Sequence, residues 1–327
     1  MGKLVVVGHG EVRRLLPMDE CIELMAAVLS DLARGRVWQP LRFVVRPPEE
    51  SSLMGLMPAH RSAEPPAYGL KAVCVFPGNP ARGLDSHQGG VLLFDGETGE
   101  LRALLDASAV TAIRTAAVSA VATRALARED ARELAILGSG VQARAHLEAM
   151  AKVRPFDRAR VWSRTPEHAR AFAEGAGAPF PVDPVASAEA AVRGADVVVT
   201  ATSAREPIVA REWLVGGAHV NAVGSSLPTA RELDAATVRD AALFADSRDS
   251  LLNEAGDYLF AVEETAIRPE HVRAELGEVL IGSGEGRRSP EELTVFESLG
   301  LAAEDLAAAE HVYARAQATG AGTVVEL

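Results

Sequence analysis

The chain predicts an α/β fold, a Rossmann-type doubly wound sheet joined to a β-rich domain, on three observations. An apolar strand, Ala135-Ile136-Leu137, runs straight into Gly138-Ser139-Gly140-Val141-Gln142 and the small Ala143. Beyond residue 130, short apolar runs alternate with alanine-rich helical stretches. Before residue 107 the hydrophobic period is mostly two.

Taken in order, Ile22, Met25, Val28, Leu29 and Leu32 recur at helical spacing after Pro17 and Asp19, giving an amphipathic helix that stops at Gly35. Segments 41–46, 52–57 and 68–76 read as strands. So do Val91–Asp95 and Leu101–Asp106 around the turn Asp95-Gly96-Glu97-Thr98-Gly99, and together they form a largely antiparallel set. From Ser108 to Arg128 the alanine-rich run without Gly or Pro predicts one long helix leading to the glycine loop. Strands then follow at Glu133–Leu137, Ala159–Ser163, Asp196–Ala201, Ala218–Val223 and Ala242–Ala245. Leu301 to Thr319 is helical again, and Thr323-Val324-Val325 can add an edge strand; this tail is expected to return to the first domain. The Pro/Gly-rich patches at 47–48, 65–66 and 175–184 read as loops. The division expected is 1–118 with 301–327 as one domain and 119–300 as the dinucleotide-binding domain.

With 327 residues, two domains fit the prior of roughly 150 residues each. The net charge of −12 opposes sustained attraction to nucleic acid or anionic lipid, so neither is expected as a partner. The apolar run Leu4–Val7 is too short for a signal h-region or a membrane span, which leads to a cytoplasmic expectation. Cys21 and Cys74 show no C-x-x-C or zinc spacing and the eight histidines form no metal motif, so no disulfide and no metal are expected.

The glycine loop is the chemistry-bearing motif. Gly138 permits the tight turn, Gly140 lets a pyrophosphate approach the backbone, and Ala143 lets helix and strand pack closely, so that free amides face the anion. Glycine pairs between a strand and a helix also occur for packing alone, so the motif needs its context. In an NAD site an acid about 20 residues further on binds the ribose hydroxyls, but here the second strand ends Val161-Trp162-Ser163-Arg164-Thr165. A guanidinium flanked by hydroxyls suits a 2′-phosphate. The expectation is therefore NADP(H) preferred with NAD(H) possible; the alternative is that Arg164 is a solvated residue at a helix start.

Gln39-Pro40-Leu41-Arg42, Gly55-Leu56-Met57-Pro58-Ala59, Gly69-Leu70-Lys71, Ser86-His87-Gln88 and Ala112-Ile113-Arg114-Thr115-Ala116-Ala117 resemble landmarks of the ornithine cyclodeaminase/mu-crystallin family. So do the glycine loop, Trp162-Ser163-Arg164-Thr165, Asn221-Ala222-Val223-Gly224, Ala274-Glu275-Leu276-Gly277-Glu278 and Phe296-Glu297-Ser298-Leu299-Gly300, in family order along the whole chain. The resemblance implies a homodimer joined through the β-rich domains, which bind substrate facing the nicotinamide. It implies that Arg42 and Arg114 bind a substrate carboxylate, that Lys71 stands beside the reacting carbon or nitrogen, and that Ser86 and His87 lie near the cofactor and the site's mouth. Cofactor contacts are implied for Ser139, Val141, Gln142, Ser163, Arg164, Thr165, Thr202, Val223 and Glu254. The residues themselves allow blander roles: a salt-bridged arginine, a solvent-facing lysine on a strand, a turn-capping histidine.

In the cyclodeaminase branch the resemblance places an acid at the position of Gly55 and another at that of Ser226, where this chain has none. A buried substrate ammonium without a carboxylate partner costs several kcal/mol. The pattern is closer to the mu-crystallin branch, associated with ketimine reduction. The expected activity is NAD(P)H-dependent reduction of a cyclic imine of a 2-oxo acid, of the pyrroline-2-carboxylate or piperideine-2-carboxylate type, to the L-amino acid. The alternatives are an ornithine cyclodeaminase, an alanine-dehydrogenase-like amino-acid dehydrogenase, and a non-catalytic small-molecule binding protein.

Overall fold

A computed structural model describes residues 3–326. Two compact units emerge, one made of residues 1–114 with 301–327 and the other of residues 115–300.

The first unit opens with β1 (Lys3–Val7), α1 (His9–Leu15) and α2 (Met18–Ala33), followed by β2 (Val37–Trp38), β3 (Phe43–Val45), β4 (Leu53–Arg61), β5 (Ala67–Val75), β6 (His87–Asp95) and β7 (Leu101–Asp106). The buried side of α2 carries Ile22, Met25 and Leu29, as its helical spacing predicts. Strands β4 to β7 form an antiparallel meander. Strand β6 starts four residues earlier than its apolar pattern suggests, because Gly89 and Gly90 lie inside it. A Cβ on Gly89 would sit 2.0 Å from the Ala72 carbonyl oxygen of the neighbouring strand, and one on Gly90 would sit 2.5 Å from the Leu104 side chain, so the glycines mark crowding inside the sheet and not a loop. Helix α3 (Ala107–Leu126) has the length and apolarity of a membrane span, but it is mostly buried and serves as a core helix.

The second unit alternates β8 (Glu133–Leu137), α4 (Val141–Val153), β9 (Arg158–Trp162), α5 (Pro166–Glu174), β10 (Val182–Pro184), α6 (Ala188–Val192), β11 (Val197–Thr200) and β12 (His219–Ala222). It continues through α7 (Ala235–Asp240), β13 (Ala242–Ala245), α8 (Arg248–Glu254), α9 (Gly256–Glu263), β14 (Val272–Glu275), α10 (Leu276–Leu280) and β15 (Thr294–Glu297). All eight strands are parallel, in the order β10-β9-β8-β11-β12-β15-β13-β14. The order reverses beside β8, and in such sheets ligands bind outside the strand C-termini at that switch point. The central strands β8, β11, β12 and β15 are buried along nearly their whole length because helices cover both faces; β8 and β11 are mostly apolar, whereas β12 and β15 also bury His219, Asn221, Thr294 and Glu297. The sequence pattern does not reveal three strands of this unit, nor β1 and β2 of the first. β10 hides in a proline-bearing patch read as a loop, β14 is only four residues long, and β15 was seen as a motif and not as a strand.

The chain then returns as α11 (Ala302–Thr319) and β16 (Thr323–Glu326). β16 pairs antiparallel with β1 and forms the edge of the first sheet, whose order is β16-β1-β7-β6-β5-β4-β2, with β3 also on β4. Helix α11 lies over β4, β5 and β6 and beside α2. It can come close because β5 carries Gly69, where a Cβ would already be 3.0 Å from Leu306.

Candidate functional site

Lys71 takes its place from strand alternation. Ala67, Gly69, Lys71 and Val73 share the buried face of β5, so the lysine points inward, not into solvent. Gly69, two residues before it on that face, admits the start of α11 and with it two acids. Lys71 Nζ lies 2.7 Å from Asp305 Oδ2 and 3.5 Å from the Thr111 hydroxyl. Arg114, on α3, donates through Nε to Asp305 Oδ1 at 3.0 Å and through Nη1 to Glu304 Oε2 at 2.7 Å. Lys71 and Arg114 are each only 3% exposed, and both acids are fully buried. A first-turn position suits Glu304 and Asp305, since the helix N-terminus favours negative charge. Gln39 reinforces that end by accepting from the Ala303 amide at 2.8 Å.

Burial disfavours the Lys71 ammonium most, and the Arg114 charge adds to the effect. Asp305 opposes them and Arg42 adds a smaller push, so the lysine pKa falls from 10.5 to about 8. A lysine at that value exchanges protons near neutrality. His87, which opens β6, has its pKa lowered first by burial and then by the charges of Lys71 and Arg114. Its Nδ1 lies 3.0 Å from the Ser86 hydroxyl. Four predicted residues, Arg42, Lys71, His87 and Arg114, therefore share one electrostatic neighbourhood in the first unit. Sequence reasoning missed Glu304 and Asp305. Two acids in the first turn of an alanine-rich helix ordinarily face water, so the sequence carries no cue that this pair is buried.

In the second unit the glycine loop has the form its motif predicts. Gly138 has φ +123°, and a Cβ there would meet the Ala201 carbonyl oxygen at 2.4 Å; its amide donates to the Trp162 carbonyl at 2.8 Å. Gly140 caps α4 with ordinary extended dihedrals, no side-chain cap and no atom within 4 Å of where a Cβ would stand. That open space at a helix N-terminus is what a pyrophosphate requires, and a side chain would fill it. The residues present thus fit a dinucleotide. Ala143 is fully buried, as close strand–helix packing requires.

Ser139 donates its hydroxyl to Ser163 at 3.0 Å, tying the glycine loop to the end of β9. There Arg164 is exposed and Thr165 is the N-cap of α5, with no acid in the stretch Trp162–Thr165. Val141 and Gln142 form the first turn of α4. Thr202 follows β11 and Val223 follows β12, both at strand C-termini, and Glu254 is buried at the end of α8. Thr202 and Gly224 are both held by Glu232, a buried residue that sequence reasoning passed over.

A doubly wound parallel sheet with a pyrophosphate-ready glycine turn, together with a unit that buries a lysine and an arginine against two acids, defines a dinucleotide-dependent oxidoreductase class. The model of the ornithine cyclodeaminase/mu-crystallin family matches residues 3–320, and the chain belongs to that family. The ketimine reductase mu-crystallin of Mus musculus is 43% identical over 292 residues, covering 89% of this chain and 90% of that one. The structure of Thermococcus litoralis Δ1-pyrroline-2-carboxylate reductase in complex with NADH and L-proline is similar at TM-score 0.94 and 37% identity, over 98% of this chain and all of that one. An archaeal alanine dehydrogenase dimer with bound NAD matches at TM-score 0.93 and 32% identity over the full length of both chains.

Proposed function

We propose that this protein uses NAD(P)H to reduce the C=N bond of a ketimine of a 2-oxo acid, with pyrroline-2-carboxylate and piperideine-2-carboxylate as the substrate class, to the L-amino acid. The observation that carries the reading is the buried ion cluster of Lys71, Arg114, Glu304 and Asp305. It pre-orients cations in a protein whose net charge would otherwise repel an anionic substrate. Arg42 and Arg114 bind the carboxylate, and two guanidiniums fix its orientation. Lys71 gives a proton to the imine nitrogen, keeping it cationic while a C–H bond forms at the adjacent carbon and the C=N π bond breaks. The glycine loop Gly138–Gly140 with the start of α4 would hold reduced nicotinamide coenzyme, which would supply the hydride for that bond and the two electrons of the reduction. The named activities of the relatives support the same reaction class.

Neither Gly55 nor Ser226 can pair with a second substrate ammonium, which favours reduction over cyclodeamination. Coenzyme oxidation separates these readings. With piperideine-2-carboxylate the purified protein should oxidise one NAD(P)H per pipecolate formed and should release no ammonia from ornithine. Turnover no faster than with pyruvate plus ammonia would transfer the reading to an alanine-dehydrogenase-like activity, and binding without turnover would leave a carrier.

NADPH is the preferred coenzyme in this reading, on the strength of Arg164 beside Ser163 and Thr165 and the missing acid. Arg164→Asp should move the preference toward NADH by at least about tenfold in kcat/KM; an unchanged preference removes Arg164 from this role. The protein is a homodimer in the same reading, formed through the first unit, where Trp38, Phe43, Val44, Val45 and Tyr68 leave a large apolar surface exposed.

A further inference from the structure

Glu232 lies in the segment after β12, far in sequence from the glycine loop, yet it is completely buried. Its Oε1 accepts from the Thr202 amide at 2.7 Å and from the Thr202 hydroxyl at 2.6 Å, and its Oε2 accepts from the Gly224 amide at 2.7 Å. Thr202 belongs to the turn that follows β11 and Gly224 to the turn that follows β12. One carboxylate therefore staples two adjacent strand ends. Gly224 allows the closeness: a Cβ there would meet the Thr202 carbonyl at 2.3 Å and the Glu232 carboxyl at 2.6 Å.

Glu232 is itself held on every side. Its amide and that of Leu233 donate to Asp257 Oδ1 at 2.7 and 2.9 Å, and its carbonyl accepts from Ile208 and Val209 at 2.8 and 3.0 Å. Burial pushes its pKa up, and the donors from Thr202 and Gly224 oppose the rise.

Sheets of this order are built from two mononucleotide-binding halves, one on each side of the switch point. The glycine loop and the end of β9 serve the adenosine half, which leaves the turns after β11 and β12 to the nicotinamide half. We propose that Glu232 is a positioning residue that fixes the nicotinamide half of the coenzyme site by locking the Thr202 and Gly224 turns together. The proposal rests on the reading of this unit as a dinucleotide site. An ordinary core carboxylate would stabilise the fold without favouring either half of a ligand; a staple across these two turns affects one half alone.

Glu232→Gln keeps the shape but turns an acceptor into a donor that must face either the Gly224 amide or the Thr202 donors. The experiment measures dissociation constants of the full-length wild-type and variant proteins for NADPH, NADH and ADP-ribose, which lacks the nicotinamide. The expected result is a loss of at least about tenfold in affinity for the tighter-binding reduced coenzyme, with ADP-ribose affinity held within about twofold and kcat reduced as well as coenzyme KM raised. Equal losses for both ligands, or no loss for either, overturn the proposal. Thr202→Val, which removes one donor of the three, should show the same selectivity at smaller size if the Gln variant does not fold, and an unselective effect there also overturns it. Wild-type protein that binds none of the three ligands refutes the dinucleotide reading itself, and the proposal with it.

Discussion

At the scale of single residues, the chemistry rests on how Lys71 is held between opposing fields. Burial and the arginines favour its neutral form, and Asp305 favours the ammonium, leaving a pKa of about 8. On the proposed mechanism, in which the ammonium donates the proton for reduction, kcat/KM for the imine should be flat below this value and fall as pH rises through about 8. Asp305→Asn removes the charge paired with the lysine that raises its pKa, so the alkaline limb should move to lower pH; a limb that stays in place would remove Lys71 from proton transfer. Lys71 and Arg114 were legible in the chain only through their family setting, since a lysine on a strand is equally well a solvent-facing residue. Strand alternation decides the matter once the register of β5 is known. Their counter-ions were not legible. Acids in a first helical turn usually face water and complement the helix dipole, and only the approach of α11 at Gly69 brings Glu304 and Asp305 inside.

At the scale of elements, the turn between β8 and α4 assigns different duties to its two glycines. Gly138 is demanded by the protein, through its dihedral and the Ala201 carbonyl. Gly140 is demanded by nothing in the protein, so Gly140→Ala should fold with unchanged melting temperature and yet lose at least about tenfold in coenzyme affinity. Equal affinity in that variant would show that the open space is not used. Helix α4 also carries a neutral histidine in its interior. His146 Nδ1 lies 2.7 Å from the Gln142 carbonyl, which can only accept, so that nitrogen bears the proton, while Nε2 at 2.9 Å accepts from Ser119. Burial lowers its pKa from 6.5 to about 4. A depressed value means that its contribution to stability is complete above pH 6.5 and is lost as pH falls toward 4, amounting to about 3 kcal/mol. Chemical denaturation at pH 7 and pH 4.5 should show that loss in the wild-type protein and a shallower one in His146→Gln. Elements with a clean period or a strong turn signal were legible: β7, β8 and β13 have the predicted bounds, and α3 and α11 nearly so. Strands without such a pattern were not, because β10 contains proline and β6 carries Gly89 and Gly90 in its first half, where the reason for Gly89 lies in the neighbouring strand.

At the scale of the whole molecule, the sequence already implied a sheet of each kind and a tail that returns to the first. The order of the second sheet was beyond it. β15 is last in sequence yet lies between β12 and β13, a placement that no local pattern encodes. Association is the property that belongs to this scale. If the exposed apolar residues of the first unit form the dimer surface, light scattering should give twice the chain mass of 34.4 kDa. Phe43→Glu should then shift the protein toward monomer, and a monomeric wild type would end that reading. The central claim, that a C=N carbon of an anchored 2-imino acid receives hydride directly, is tested by isotope transfer. Reduction of piperideine-2-carboxylate with coenzyme deuterated at C4 of the nicotinamide on the transferred face should yield pipecolate carrying one deuterium at its α-carbon. Unlabelled product, or coenzyme that is never oxidised while the imine disappears, would contradict the account.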